Sequence, residues 1–97
     1  MNNLISVVVT CYNHEKYIEQ CLRSVFNQTY TNIELIVLDD GSTDSSTQII
    51  QEVLKDSPFD TKFETHENLG VVNNRNLGLE LIRGDYLLFV DSDNYLD

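Results

Sequence analysis

The run "ISVVVT", Ile5 to Thr10, carries β-branched residues with no polar alternation. A strand that faces water on one side alternates; one buried on both faces reads as a continuous apolar run. Two further runs read as strands, Glu34 to Leu38 within "IELIVLDDG", and "DYLLFV" up to Val90. Strands buried on both faces need layers above and below them, so the intervening segments must supply cover. Tyr17, Ile18, Cys21, Leu22, Val25 and Phe26 recur at helical spacing, as do Ile49, Ile50, Val53 and Leu54. A weaker strand is expected around Thr61 to Thr65. A third helix is expected within "NLGVVNNRNLGLELIRG", with Leu77, Leu81 and Ile82 inward and Gly84 as its stop. Asn13 is the expected cap of the first helix, and Ser45 with Gln48 fits a capping box on the second. The order β-α-β-α-β-α-β predicts an α/β fold, a doubly wound, mostly parallel sheet with right-handed crossovers.

The chain has 97 residues and a formal charge of −10, from 16 acidic and 6 basic residues. That balance argues against nucleic acid or an anionic membrane as the main partner. No apolar run approaches the ~20 residues of a membrane span, and the amino terminus lacks a signal peptide's basic region. Cys11 and Cys21 have neither metal-motif spacing nor the number of a disulfide scaffold. The expectation is a reduced, cytoplasmic chain with Cys21 in the core.

In an open α/β sheet, ligands bind outside the carboxyl ends of the strands. Three expected strands end in polar clusters: Thr10-Cys11-Tyr12-Asn13, Asp39-Asp40-Gly41-Ser42 and Asp91-Ser92-Asp93. Side chains two apart on a strand share a face, so Asp91 and Asp93 point the same way if the strand persists. Paired carboxylates repel unless a cation or proton sits between them. All-oxygen donors suit Mg²⁺ or Mn²⁺, with phosphate oxygens filling the shell. A solvated acidic turn is the rival account of that tripeptide. An Asp-Gly turn with a helix cap is the rival at Asp39 and Asp40. His14 and His66 stand singly and are expected at the surface or as caps. A glycine-rich first turn, a phosphate-binding P-loop and a Ser-His-Asp elbow are all missing.

The segments "TCYN", "QTYTNIELIVLDDGSTD", "NLGVVNNRN" and "DSD" occur in order along the chain. Together they resemble the N-terminal half of family 2 glycosyltransferases, which have the GT-A fold. The resemblance runs from Ile5 to the end of the chain. It implies a domain over residues 1–97 that binds a nucleoside-diphosphate sugar, most often a UDP-sugar, with Mg²⁺ or Mn²⁺. By resemblance, Thr10, Tyr12 and Asn13 line the nucleoside pocket. Asp40 accepts the uracil ring N–H with Asp39 beside it, and Arg75 lies near the base and diphosphate. Asp91 approaches the ribose and metal-bound waters, and Asp93 ligates the metal. The chain departs from the family pattern at Thr10 or Cys11, where Pro is frequent, at Asn74 in place of Ala, and at Asn94 in place of Asp.

The family's acceptor-binding region and its catalytic base follow the Asp-x-Asp. The base is therefore expected beyond residue 97, and no catalytic residue is assigned within the chain. The expected whole is an inverting transferase acting on an acceptor glycan or lipid-linked sugar, in polysaccharide or glycoconjugate synthesis. The rivals are a non-catalytic nucleotide-sugar module and an inactive fragment. An apolar fourth strand beside the missing part also predicts self-association of the chain.

Overall fold

The computed structural model describes residues 3–28, 30, 32–67 and 82–91, with Asp91 described in its backbone only. Its elements are β1 (Ile5–Cys11), α1 (Ile18–Phe26), β2 (Ile33–Asp39), α2 (Ser46–Leu54), β3 (Asp60–Thr65) and β4 (Tyr86–Asp91). One sheet holds the strands in the order β3-β2-β1-β4, and every pairing is parallel. The expected third helix falls outside the described residues up to Leu81; Ile82, expected on its inward face, and Gly84 are described and are not helical.

The unalternating runs are explained by two cores. On one face Val7, Val9, Cys11, Leu35 and Val37 pack with Ile18, Cys21, Leu22 and Val25 of α1, and with Ile50 and Val53 of α2. On the other, Val8, Ile36 and Leu38 are fully buried, with Ile82, Leu87 and Phe89 packed against them. β2 is buried along its whole length. Each fully buried Val, Leu or Ile contributes about 1.5–3 kcal/mol, so the two central strands carry most of the apolar stabilisation. β3 is an edge strand, mostly exposed, and its polar residues Thr61, Lys62 and Glu64 fit that place.

Glu34 lies in the middle of this apolar sheet, 1% exposed. It sits at the amino end of the strands and is satisfied there. Its carboxylate accepts from Ser6 Oγ at 2.7 Å, from the Arg83 backbone N–H at 2.8 Å and from Arg83 Nε at 2.7 Å. Lys62 Nζ stands 3.7 Å away. Burial alone pushes the Glu34 carboxyl up, but the hydrogen bonds from Ser6 and Arg83 outweigh it and hold the group at about 2. Gly84 completes the cluster by donating its N–H to Ser6 Oγ at 2.8 Å. A Cβ on Gly84 would meet Ser6 Oγ at 2.5 Å, Ser6 N at 2.7 Å and the Leu4 carbonyl oxygen at 2.9 Å. Close backbone approach therefore requires the glycine expected only as a helix stop. These contacts steer the chain into β4 beside β1.

Candidate functional site

The strand order reverses about β1. The chain runs outward from β1 to β2 to β3, and β4 then pairs on the other side of β1. Such a switch point opens a crevice at the carboxyl ends of the two flanking strands. The register brings the expected clusters to one level: Thr10 pairs with Leu38 on one side and with Asp91 on the other, and Cys11 pairs with Asp39. Tyr12 leaves the end of β1 with 45% of its surface exposed. The backbone of Asp91 thus ends β4 next to Thr10. Arg75 and Asp93 lie outside the described residues.

The loop after β1 and the loop after β2 are bonded into one unit. Asn13 adopts φ 53°, and Gly41 φ 75°, left-handed conformations that Asn and Gly tolerate best. Asn13 Oδ1 accepts the backbone N–H of Thr43 at 2.7 Å and of Asp44 at 3.3 Å. In return the Asn13 N–H donates to Ser42 Oγ at 2.9 Å. His14 N–H donates to Ser46 Oγ at 3.1 Å, and Glu15 N–H to Asp44 Oδ2 at 3.2 Å.

Both expected caps are corrected by this network. Asn13 does not cap α1, whose first turn instead folds onto the His14 carbonyl through the Tyr17 and Ile18 N–H groups, both at 2.9 Å. Ser45 makes no side-chain cap on α2. Asp44 Oδ1 accepts the Ser46 N–H at 2.9 Å. Burial pushes the Asp44 carboxyl up, and the hydrogen bonds from Ser46 and Glu15 more than reverse it, leaving the group below its ordinary value. The physical reason is that short polar side chains accept whichever loop N–H the backbone presents.

Asp39 is fully buried. Its Oδ2 accepts the Ser42 N–H at 3.2 Å and the hydroxyls of Thr47 and Thr65, each at 3.0 Å. Its Oδ1 accepts the Ser42 hydroxyl. Its oxygens are thereby taken up in joining the ends of β2 and β3 to α2. Asp40 follows, buried, with its N–H donated to the Cys11 carbonyl at 2.8 Å. Oδ1 of Asp40 stands 3.2 Å from His66 Nε2.

His66 is the residue that sequence reasoning missed. It was expected at the surface or as a cap, yet its side chain is 18% exposed and lies against Asp40. The signal was present in "THE", a polar cluster at the end of the third strand like those at the other strand ends.

Among the described residues no group of three or more His, Cys, Asp or Glu side chains could hold a metal ion. Asp91 is the last residue of β4; carboxylate oxygens are donors of the type that suits Mg²⁺ or Mn²⁺. No helix among the described residues is long and apolar enough to cross a membrane.

The family model described as "Glycosyl transferase family 2" matches residues 6–97. The chain belongs to glycosyltransferase family 2. An uncharacterized glycosyltransferase of Haemophilus influenzae is 45% identical over 93 residues, covering 96% of this chain and 37% of the relative. Chondroitin synthase of Escherichia coli is 38% identical over 94 residues, covering 97% of this chain and 14% of the synthase. Among solved structures, S. aureus TarS 1-349 in complex with UDP-GlcNAc superimposes with a TM-score of 0.86 and 37% identity. The match covers 97% of this family 2 chain and 28% of that one. The architecture is thus that of the GT-A glycosyltransferases. This family 2 chain spans well under half the length of these relatives.

Proposed function

We propose that this chain is the donor-binding half of an inverting glycosyltransferase that moves a sugar from a UDP donor to an acceptor hydroxyl. The observation that carries the proposal is the register at the switch point. It sets Thr10 beside Asp91, and places Asp40 at the end of the next strand. The 37% identity to TarS, which was solved with UDP-GlcNAc, supports a uridine nucleotide.

In this reading Asp40 accepts the ring N–H of the base, since an ionised carboxylate only accepts. Thr10, Tyr12 and Asn13 line the nucleoside pocket, the last through a loop that the Asn13–Thr43 bond already holds in place. Asp39 acts from behind, by fixing the strand end that carries Asp40. By the family resemblance, Arg75 is assigned to the base and diphosphate, and Asp91 to the ribose. Asp91 and Asp93 would hold Mg²⁺ or Mn²⁺, which when bound supplies positive charge to the departing diphosphate.

The catalytic base that activates the acceptor is assigned to none of these residues. The acceptor class, a glycan or lipid-linked sugar in polysaccharide or glycoconjugate synthesis, accords with the similarity to chondroitin synthase. A cytoplasmic setting is part of the proposal and fits two buried cysteines, Cys11 and Cys21, that are not joined in a disulfide.

Titration calorimetry tests the donor reading. UDP with Mn²⁺ is expected to bind, and ADP with Mn²⁺ to bind far more weakly. Equal binding of the two nucleotides, or no binding of UDP, would overturn it.

A further inference from the structure

Glu34 is a buried carboxylate that the donor reading does not use. Its side chain reaches from β2 past β1 to the chain that enters β4. The Ser6 hydroxyl donates to it at 2.7 Å and accepts the Gly84 N–H at 2.8 Å. The carboxylate also accepts the Arg83 N–H at 2.8 Å and Arg83 Nε at 2.7 Å. The next residue, Asp85, donates its N–H to the Leu4 carbonyl at 2.7 Å. Three consecutive residues ahead of β4 are therefore held in place.

The apolar pattern of β4 does not fix its register by itself. Tyr86 to Val90 include no charged residue. Moved one residue towards the rim, β4 would set Val90 opposite Thr10, and the places of Leu87, Phe89 and Val90 would still hold apolar or aromatic side chains. The reverse move would bring Asp91 to the place of Val90, which is 4% exposed, and burial of a carboxylate opposes it. The outward move is opposed by the Glu34 cluster instead. It would carry the Arg83 and Gly84 N–H groups about 3.3 Å from their acceptors, leaving a buried carboxylate short of donors. It would also bring Arg83 to the place of Gly84, where a Cβ meets Ser6 Oγ at 2.5 Å and Ser6 N at 2.7 Å.

Resting on the reading of Asp91 and Asp93 as cation ligands, we infer that Glu34, with Ser6 and Gly84, is a positioning residue that locks the register of β4 and so sets the level at which the Asp-x-Asp meets the rim. Ser6 pairs with Leu87 and Thr10 with Asp91, so the lock acts from about 13 Å away through the strand itself. A slip of one residue shifts Asp91 by about 3.3 Å along β1 and exchanges the two faces of β4. The near-ideal octahedron that Mg²⁺ demands does not tolerate such a shift.

The test compares the wild type with Glu34→Met/Arg83→Gly. This pair of changes removes both charges together, which a buried ion pair tolerates better than loss of one, and lets a glycine arrive at the place of Gly84. Backbone NMR contacts are expected to join Thr10 to Asp91 in the wild type and Thr10 to Val90 in the double variant. The gain in UDP affinity given by Mn²⁺ is expected to fall by about tenfold or more in the variant, while the affinity for uridine stays the same. Glu34→Gln, which keeps an acceptor and leaves Arg83 in place, is expected to lose stability but retain the Thr10–Asp91 contacts. Glu34→Gln/Arg83→Gly carries the expectation of a slip where the first double variant does not fold. A double variant that keeps Thr10 opposite Asp91, or one that slips with its Mn²⁺ gain intact, overturns the inference and leaves the donor reading standing. A wild type whose UDP affinity ignores Mn²⁺ removes the Asp-x-Asp reading and the inference together.

Discussion

Asn13 Oδ1 accepts the Thr43 backbone N–H at 2.7 Å, so the loop that follows β1 is tied to the loop that follows β2. Asn13→Ala deletes this acceptor and leaves alanine in a left-handed conformation that costs about 1–2 kcal/mol for an ordinary residue. With the lost hydrogen bonds, a destabilisation of ~2 kcal/mol is expected, or a fall of roughly 10 °C in the unfolding midpoint. Asn13→Asp keeps an acceptor and should stay near the wild type. Circular dichroism melts of both variants decide it; equal midpoints for wild type and alanine variant would show that the link is idle.

The Glu34 cluster predicts how stability depends on pH. The folded group sits at about 2 against an ordinary value of 4.5. A depressed folded value means that the contribution is complete above the unfolded value and disappears as pH falls towards 2. A gap of that size corresponds to roughly 3 kcal/mol. Glu34→Gln should therefore cost about 3 kcal/mol at pH 7, and the difference from wild type should shrink steadily between about pH 5 and pH 2. Urea unfolding at several pH values measures this, and a difference that is constant with pH would remove Glu34 as its source.

At the base pocket, Asp40→Asn swaps an acceptor-only group for an amide. UDP affinity should fall by ~1–3 kcal/mol, with the unfolding midpoint little changed. Unaltered UDP affinity would return Asp40 to an ordinary turn acid.

The Asp-x-Asp at the end of β4 predicts cation dependence. UDP binding should require Mg²⁺ or Mn²⁺, collapse in excess chelator, and weaken strongly in Asp93→Ala. Identical titrations in chelator and in Mn²⁺ would refute the assignment of Asp91 and Asp93.

β4 pairs only with β1 among the described strands. It exposes Tyr86 by 60% and Leu88 by 42%, two residues apart and so on one face. Such an edge is expected to self-associate at moderate salt, where the −10 charge is screened over about 8 Å. Leu88→Lys should restore the monomer. Sedimentation that finds the wild type monomeric at high micromolar concentration would show the edge to be tolerated.

The fold could be read from the chain because burial on both faces leaves a local trace. "ISVVVT" and "IELIVL" announce central strands within one residue of their observed ends. Rim positions followed from strand ends alone, which is why Thr10, Asp39 and Asp91 meet where expected. What escaped was every interaction set by distant partners. Glu34 reads as one more strand residue until Ser6 and Arg83, 28 and 49 positions away, are beside it. His66 is unremarkable until β3 lies against β2. The caps failed for a different reason. Asn13, Asp44 and Ser45 can each accept several nearby N–H groups, and only the loop path decides which one is reached.

The place of β1 between β2 and β4 bears on how the molecule forms. β1, β2 and β3 can pair as they leave the ribosome, each a short crossover from the last. β4 must find β1 across a long closure, with Leu4 and Asp85 separated by 81 positions where they hydrogen-bond. Non-local pairing of this kind is slow, and until it completes one whole edge of β1 stays open. Pairing of β4 with β1 is therefore expected to be the last contact of the described sheet to form during synthesis. A chain stalled before residue 86 would hold its base-side loops ready while lacking the strand that brings the Asp-x-Asp.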